Sequence, residues 1–186
     1  MPHIPLDPNL PGITGILNYR LETALPIRQL THLLLRGDST LTQGERELIA
    51  TTVSYGNECK FCTAAHTAAV DLLLGEKETA ELVKKDLQNA PVSAKMKTLL
   101  TIAKAVQVSG KNVSTEMINA AKGAGATDLE IHDTVLISAV FSLYNRLVDG
   151  LASVTPADSA FYERLAHILA NKGYLPSENR YAGLKE

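Results

Sequence analysis

An all-α domain is predicted by three features of the 186-residue sequence. Apolar residues recur at helical spacing, helix-start and helix-stop residues punctuate the chain, and no run of β-branched residues alternates between turn signals. The length suits one domain, and 45% hydrophobic residues supply enough apolar material for a core.

Taken in order, the first dozen residues contain Pro2, Pro5, Pro8 and Pro11. Proline lacks the amide donor and restricts the residue before it, so residues 1–13 are expected to form an extended arm. Helical spacing then places Leu30, Leu33 and Leu34 on one face. Thr42 and Glu45 stand in the Thr-x-x-Glu order of a capping box, which starts a helix near Gln43. Gly56 and Asn57 tolerate the left-handed backbone that closes helices and are expected to end it. A second helix follows from about Glu58 to Gly75 and would hold Cys59, Cys62 and His66. Further helices are expected at Lys77–Leu87, Ser93–Val108, Ser114–Gly123, Thr127–Leu151 and Thr155–Lys172. Thr127 with Glu130 forms another capping box, and Pro156 suits a first helical position. One helical domain thus covers residues 14–172, with residues 173–186 as a loop or tail.

Net charge is −2 with both signs scattered, which offers no footprint for nucleic acid or an anionic membrane. The longest apolar runs, such as Val135 to Val140, fall far short of the ~20 residues that span a bilayer. The first ten residues have neither a basic nor an apolar signal-peptide region, so the expected location is cytoplasmic.

Chemistry concentrates in one string. The only two cysteines, Cys59 and Cys62, stand three apart, and a helix would project them from one face with His66 a turn further on. In a reducing compartment this spacing points to redox chemistry or metal binding rather than a structural bridge. Zinc accepts Cys, His and Glu as ligands, but closed sites usually bring a second Cys or His pair, which this sequence lacks. A thiol becomes a nucleophile only on losing its proton. His66, four residues past Cys62, is placed as the base, and a carboxylate such as Glu47 would orient the imidazole.

His132 and Asp133 are neighbours whose side chains are expected to point apart. Asn145 and Arg146 either line a pocket or serve the end of a long helix. His3, His32 and His167 have no companions in the sequence. Leu33, Leu34, Leu35 and the run Leu72 to Leu74 are expected in the core or at a subunit contact.

The string Glu45-Arg46-Glu47, then Val53-Ser54, Asn57, Cys59-x-x-Cys62-x-x-x-His66, and later Phe141 with Asn145-Arg146-Leu147-x-x-Gly150, resembles one known family. It is that of alkyl hydroperoxidase D-like (AhpD-like) and carboxymuconolactone decarboxylase-like proteins, in their peroxidase-related branch, and the likeness runs from about Pro11 to Gly150. It implies an AhpD-like helical domain with the Cys-x-x-Cys pair at the start of a central helix, forming homo-oligomers, often trimers or hexamers, without metal or organic cofactor. It further implies that Cys62 attacks a hydroperoxide and Cys59 resolves the sulfenic acid to a disulfide. A dithiol reductant, protein or lipoyl-type, would then restore the thiols, with His66 and Glu47 as the proton relay. Better-studied members carry a histidine where this chain has Phe61. The alternatives are a carboxymuconolactone decarboxylase-type lyase, which has no obvious use for two cysteines, and a non-enzymatic redox-responsive interaction module.

Overall fold

A computed structural model of the chain describes residues 1–176, and residues 177–186 of the expected tail lie outside the described residues. The helices are α1 Ile13–Tyr19, α2 Leu21–Arg36, α3 Gln43–Gly56, α4 Lys60–Leu74, α5 Glu78–Lys85, α6 Ala94–Val108, α7 Thr115–Gly123, α8 Asp128–Gly150 and α9 Ser159–Lys172. A short 3-10 turn covers Gly110–Asn112, and no strand occurs among the described residues. No helix there is long and apolar enough to cross a membrane.

Helix α3 is the hub. Residues 46–54 are all buried, and the helix packs against α2, α4, α5, α6 and α8. A helix enclosed on every side usually reads as apolar all round, yet this one carries Arg46, Glu47, Thr51, Thr52 and Ser54 inside. Buried polar groups of this kind require partners, and much of the site below consists of those partners. Helix α4 lies against α3 and is covered on its other side by α9, while α6 and α8 complete the core.

Local chemistry sets where each helix begins. At α3 the Thr42 side chain accepts from the Glu45 amide at 3.2 Å, and the Thr42 amide donates to Glu45 Oε2 at 2.8 Å. The same reciprocal box opens α8 with Thr127 and Glu130, at 3.1 and 2.8 Å. Glu130 also receives Thr40 at 2.8 Å and Lys95 at 2.7 Å, which ties the start of α8 to the α2–α3 loop and to α6.

Three local expectations are corrected. The left-handed residue after α3 is Glu58, with φ 58°, because Asn57 keeps a right-handed backbone and hydrogen-bonds to Val53. Cys59 consequently sits at the N-cap of α4 rather than inside it. Helix α9 begins at Ser159, since Asp158 caps it by accepting from the Ala160 amide at 3.0 Å, and Pro156 stays in the preceding loop. On α2, Leu34 and Leu35 lie in the core, as one of the two expected settings has it, and Leu33 is 66% exposed.

The segment before α1 is tied down. The His3 amide donates to Leu151, the Gly12 amide donates to Val154, and Ser153 donates to the Gly12 carbonyl. Gly12 has φ 62°, and a Cβ there would lie 2.2 Å from the Phe61 ring, so only glycine lets this segment close over the start of α4.

Candidate active site

The α3–α4 turn delivers both sulfurs to one place. Cys59 caps α4 and Cys62 lies in its first turn, and both are buried free thiols. The hydrogen bond from the Cys62 thiol holds the Cys59 pKa below its usual value against the opposing effect of burial, and the Cys62 amide adds to this. The amide-rich N-terminus of α4 acts in the same sense. Cys62, as the donor of that bond and as the more buried group, is pushed well up. Of the two thiols, Cys59 is therefore the easier to ionise. The carboxylate of Asp149, on α8, raises both.

Behind the sulfurs runs a chain of neutral polar groups. Gln107 donates to Asn57 at 2.9 Å, Asn57 donates to Asn145 at 2.9 Å, and Asn145 donates to Ser54 at 3.1 Å. Asn145 also stabilises the charged form of Cys62 by a side-chain hydrogen bond. Arg146 next to it is exposed and, among the described residues, bonds back to Ser142 on its own helix.

One turn past Cys62, His66 Nδ1 lies 2.6 Å from Glu47 Oε2. The other oxygen of Glu47 receives the Arg36 guanidinium and the Tyr174 hydroxyl, each at 2.6 Å. An ion pair this deep survives only if both charges are well hydrogen-bonded, and here the carboxylate is held by three side chains. Burial opposes ionisation, but His66, Arg36 and Tyr174 together hold Glu47 down to about 2. At neutral pH the carboxylate is thus an anion that only accepts, which places the proton of His66 on Nδ1 and leaves Nε2 as its second functional atom. The edge of His66 faces Phe141, with ring centroids 4.5 Å apart.

Cys62 and His66 share the wall of a cavity of about 50 Å³, together with Phe61, Phe141, Arg28 and Tyr174. Cys59 does not line it. No hydrogen bond joins His66 to either sulfur among the described residues, and no three His, Cys, Asp or Glu side chains there group as metal ligands. A much larger groove of about 1160 Å³ runs over the outer face of α4 past Glu58, Lys60 and Tyr162, and touches none of the four residues singled out from the sequence.

The four residues expected from the sequence are therefore adjacent: Cys59 with Cys62, and Glu47 with His66, the two pairs meeting along α4. Sequence reading missed Arg36 and Tyr174. It also set His32 aside, although His32 Nδ1 accepts the Tyr174 amide at 3.2 Å. The signal for this was the 28, 32, 36 spacing of Arg28, His32 and Arg36, which puts three nitrogen-bearing side chains on one face of α2. His132 and Asp133 do meet, at 2.9 Å, but on the surface and remote from the cysteines. Phe61 is buried among Phe161 and Tyr162, at centroid distances of 6.3 and 5.8 Å, so it offers an apolar wall and no proton.

A helical domain whose hub helix carries a buried carboxylate, and whose next helix opens on a Cys-x-x-Cys pair followed by histidine, has an AhpD-like fold. The model of the carboxymuconolactone decarboxylase family matches residues 24–84, the stretch that holds Arg36, Glu47, both cysteines and His66. An uncharacterized peroxidase-related protein from Silicibacter sp. TM1040 is 26% identical, with a TM-score of 0.73 over 79% of this chain and 77% of that one. An alkylhydroperoxidase AhpD core protein from Ralstonia eutropha JMP134, also described as an uncharacterized peroxidase-related protein, is 25% identical. Its TM-score is 0.74 over 83% of this chain and 81% of its own. No curated protein matches the sequence. Over residues 24–84 the chain is similar to the carboxymuconolactone decarboxylase family, and its fold is that of the AhpD-like, peroxidase-related structures.

Proposed function

We propose that the protein is a thiol-dependent hydroperoxide reductase in which Cys62 attacks the peroxide, Cys59 resolves, and His66 with Glu47 manages the protons. The observation that carries this reading is that Cys62, and not Cys59, shares a cavity wall with a histidine whose orientation a buried carboxylate fixes.

The perturbed thiols fit that division of labour. Cys62 is hard to ionise and needs a base, while Cys59 is held toward thiolate, the form a resolving cysteine needs. His66 Nε2 takes the Cys62 proton, directly or through a water, for which the cavity has room. The sulfur then attacks one peroxide oxygen: an S–O bond forms, the O–O bond breaks, and the leaving alkoxide takes the proton from His66. The Cys59 thiolate attacks the resulting sulfenic sulfur, forming the disulfide and expelling hydroxide, which leaves as water after protonation. A dithiol reductant restores both thiols by exchange. Overoxidation is limited because the resolving sulfur already lies beside its target.

The same reading includes a cytoplasmic homo-oligomer, trimeric or hexameric, without cofactor. Leu21, Leu25 and Leu33 expose apolar surface on α2 that self-association would cover. A decarboxylase-type lyase fits less well, because a cavity of about 50 Å³ is far smaller than a lactone acid.

Dithiol-dependent consumption of hydrogen peroxide tests the proposal. Cys62→Ser is expected to abolish it, and Cys59→Ser to allow one turnover at most. Unchanged steady-state turnover in Cys62→Ser overturns the assignment.

A further inference from the structure

Tyr174 belongs to the segment just after α9, yet it is buried at the centre of the charged cluster. Three side chains from one face of α2 hold it there. Arg28 donates to its carbonyl at 3.5 Å, His32 accepts from its amide at 3.2 Å, and the Arg36 guanidinium lies over its ring, 5.1 Å from the centroid. The ring runs nearly parallel to His66, at 11° and 6.4 Å. The hydroxyl donates to Glu47 Oε1 at 2.6 Å.

The approach is made possible by Gly173. Its φ of 62° and ψ of −140° suit glycine, and a Cβ at this position would stand 2.5 Å from His32 Nδ1. A segment with no packing duty would not require a residue without a side chain, three α2 contacts and a buried phenol. We infer that Tyr174 is a positioning residue: it fixes the carboxylate of Glu47 from the side opposite His66, and so fixes the imidazole that faces Cys62.

The mechanism is a matter of donors. Glu47 Oε1 receives two, and if the phenol is removed only Arg36 holds that oxygen, so the carboxylate is free to turn toward the guanidinium and to loosen its grip on His66 Nδ1. Other charged or titratable groups around the cluster are Arg46 on α3, Cys62 on α4 and Tyr144 on α8. Helix α9 contributes Leu165 and Leu169 to the same cavity, neither of which can replace the lost donor.

The catalytic meaning rests on the peroxidase reading, but the positioning itself is measurable without peroxide. In the full-length protein, the low-field proton resonance of the His66 Nδ1–H···Glu47 bond and the pH profile of Cys62 alkylation in a Cys59→Ser background are compared with those of two variants. Tyr174→Phe removes only the hydroxyl, and Gly173→Ala keeps the hydroxyl but displaces the segment by crowding His32 and the stem of Arg36. Both are expected to shift or broaden the resonance, to change the pH profile, and to slow alkylation on the order of tenfold, the size of one charge-assisted hydrogen bond. An unchanged resonance and pH profile in Tyr174→Phe overturns the inference, even if its melting temperature falls. A response of the resonance in a protein that consumes no peroxide supports the positioning role while removing the proposed function.

Discussion

His66 Nδ1 and Glu47 Oε2 lie 2.6 Å apart in a site where the carboxylate has no exposure to solvent. The charge on Glu47 is compensated by Arg36 on the other oxygen, so the histidine is oriented by a fixed anion. Removing that anion strands a buried guanidinium. Glu47→Gln is therefore expected to destabilise the protein by about 3–5 kcal/mol in denaturant unfolding, since it leaves one member of a buried pair uncompensated. Peroxide turnover should fall by about two orders of magnitude or more, because the fixed anion that orients the proposed base is lost as well.

The same pair contributes to the acid sensitivity of the fold. The carboxyl of Glu47 is depressed to about 2 in the folded state from an ordinary 4.5. Its contribution to stability is fully present above the ordinary value and is lost as pH falls toward 2. Thermal melts of wild type and Glu47→Gln should converge as pH drops from about 5 to 2 and stay well separated at neutral pH.

Asp149 opposes ionisation of both cysteines. Asp149→Asn is expected to move the thiolate absorbance titration to lower pH and to speed alkylation of the pair. A titration that does not move would mean that the carboxylate is screened from the sulfurs, and one that moves upward would contradict its role.

The cavity beside Cys62, about 50 Å³, holds little more than one or two water-sized groups. Hydrogen peroxide should react faster than a bulky aromatic hydroperoxide. Phe61→Ala should narrow that preference by opening the wall, at a cost of about 3–5 kcal/mol for truncating a buried phenylalanine. Second-order rate constants for the two peroxides in both proteins check this.

Much of the arrangement was legible in the sequence because it is local. The Thr42/Glu45 and Thr127/Glu130 boxes start helices where their spacing says they should, and Cys59, Cys62 and His66 fall within eight residues, so helical geometry alone brings them together. Glu47 was reached through the family resemblance, since Glu45 and Glu58 are equally good carboxylates by composition. Tyr174 was not legible. It joins Glu47 across 127 positions, and nothing in the sequence around Gly173 announces a buried phenol. The Gly56-Asn57 signal ended α3 in the right place, but the closing hydrogen bond from Asn57 to Val53 keeps Asn57 right-handed and passes the left-handed turn one residue on, to Glu58. That shift is what puts Cys59 at the helix cap, where its thiolate is favoured.

The division of roles between the two sulfurs is tested most directly by locating the sulfenic acid. Each single Cys→Ser variant is treated with hydrogen peroxide in the presence of a sulfenic-acid trap, and the adduct is mapped by peptide mass spectrometry. The predicted result is a trapped adduct on Cys62 in Cys59→Ser, little on Cys59 in Cys62→Ser, and a Cys59–Cys62 disulfide in the wild type. An adduct that forms faster on Cys59 than on Cys62 would contradict the account.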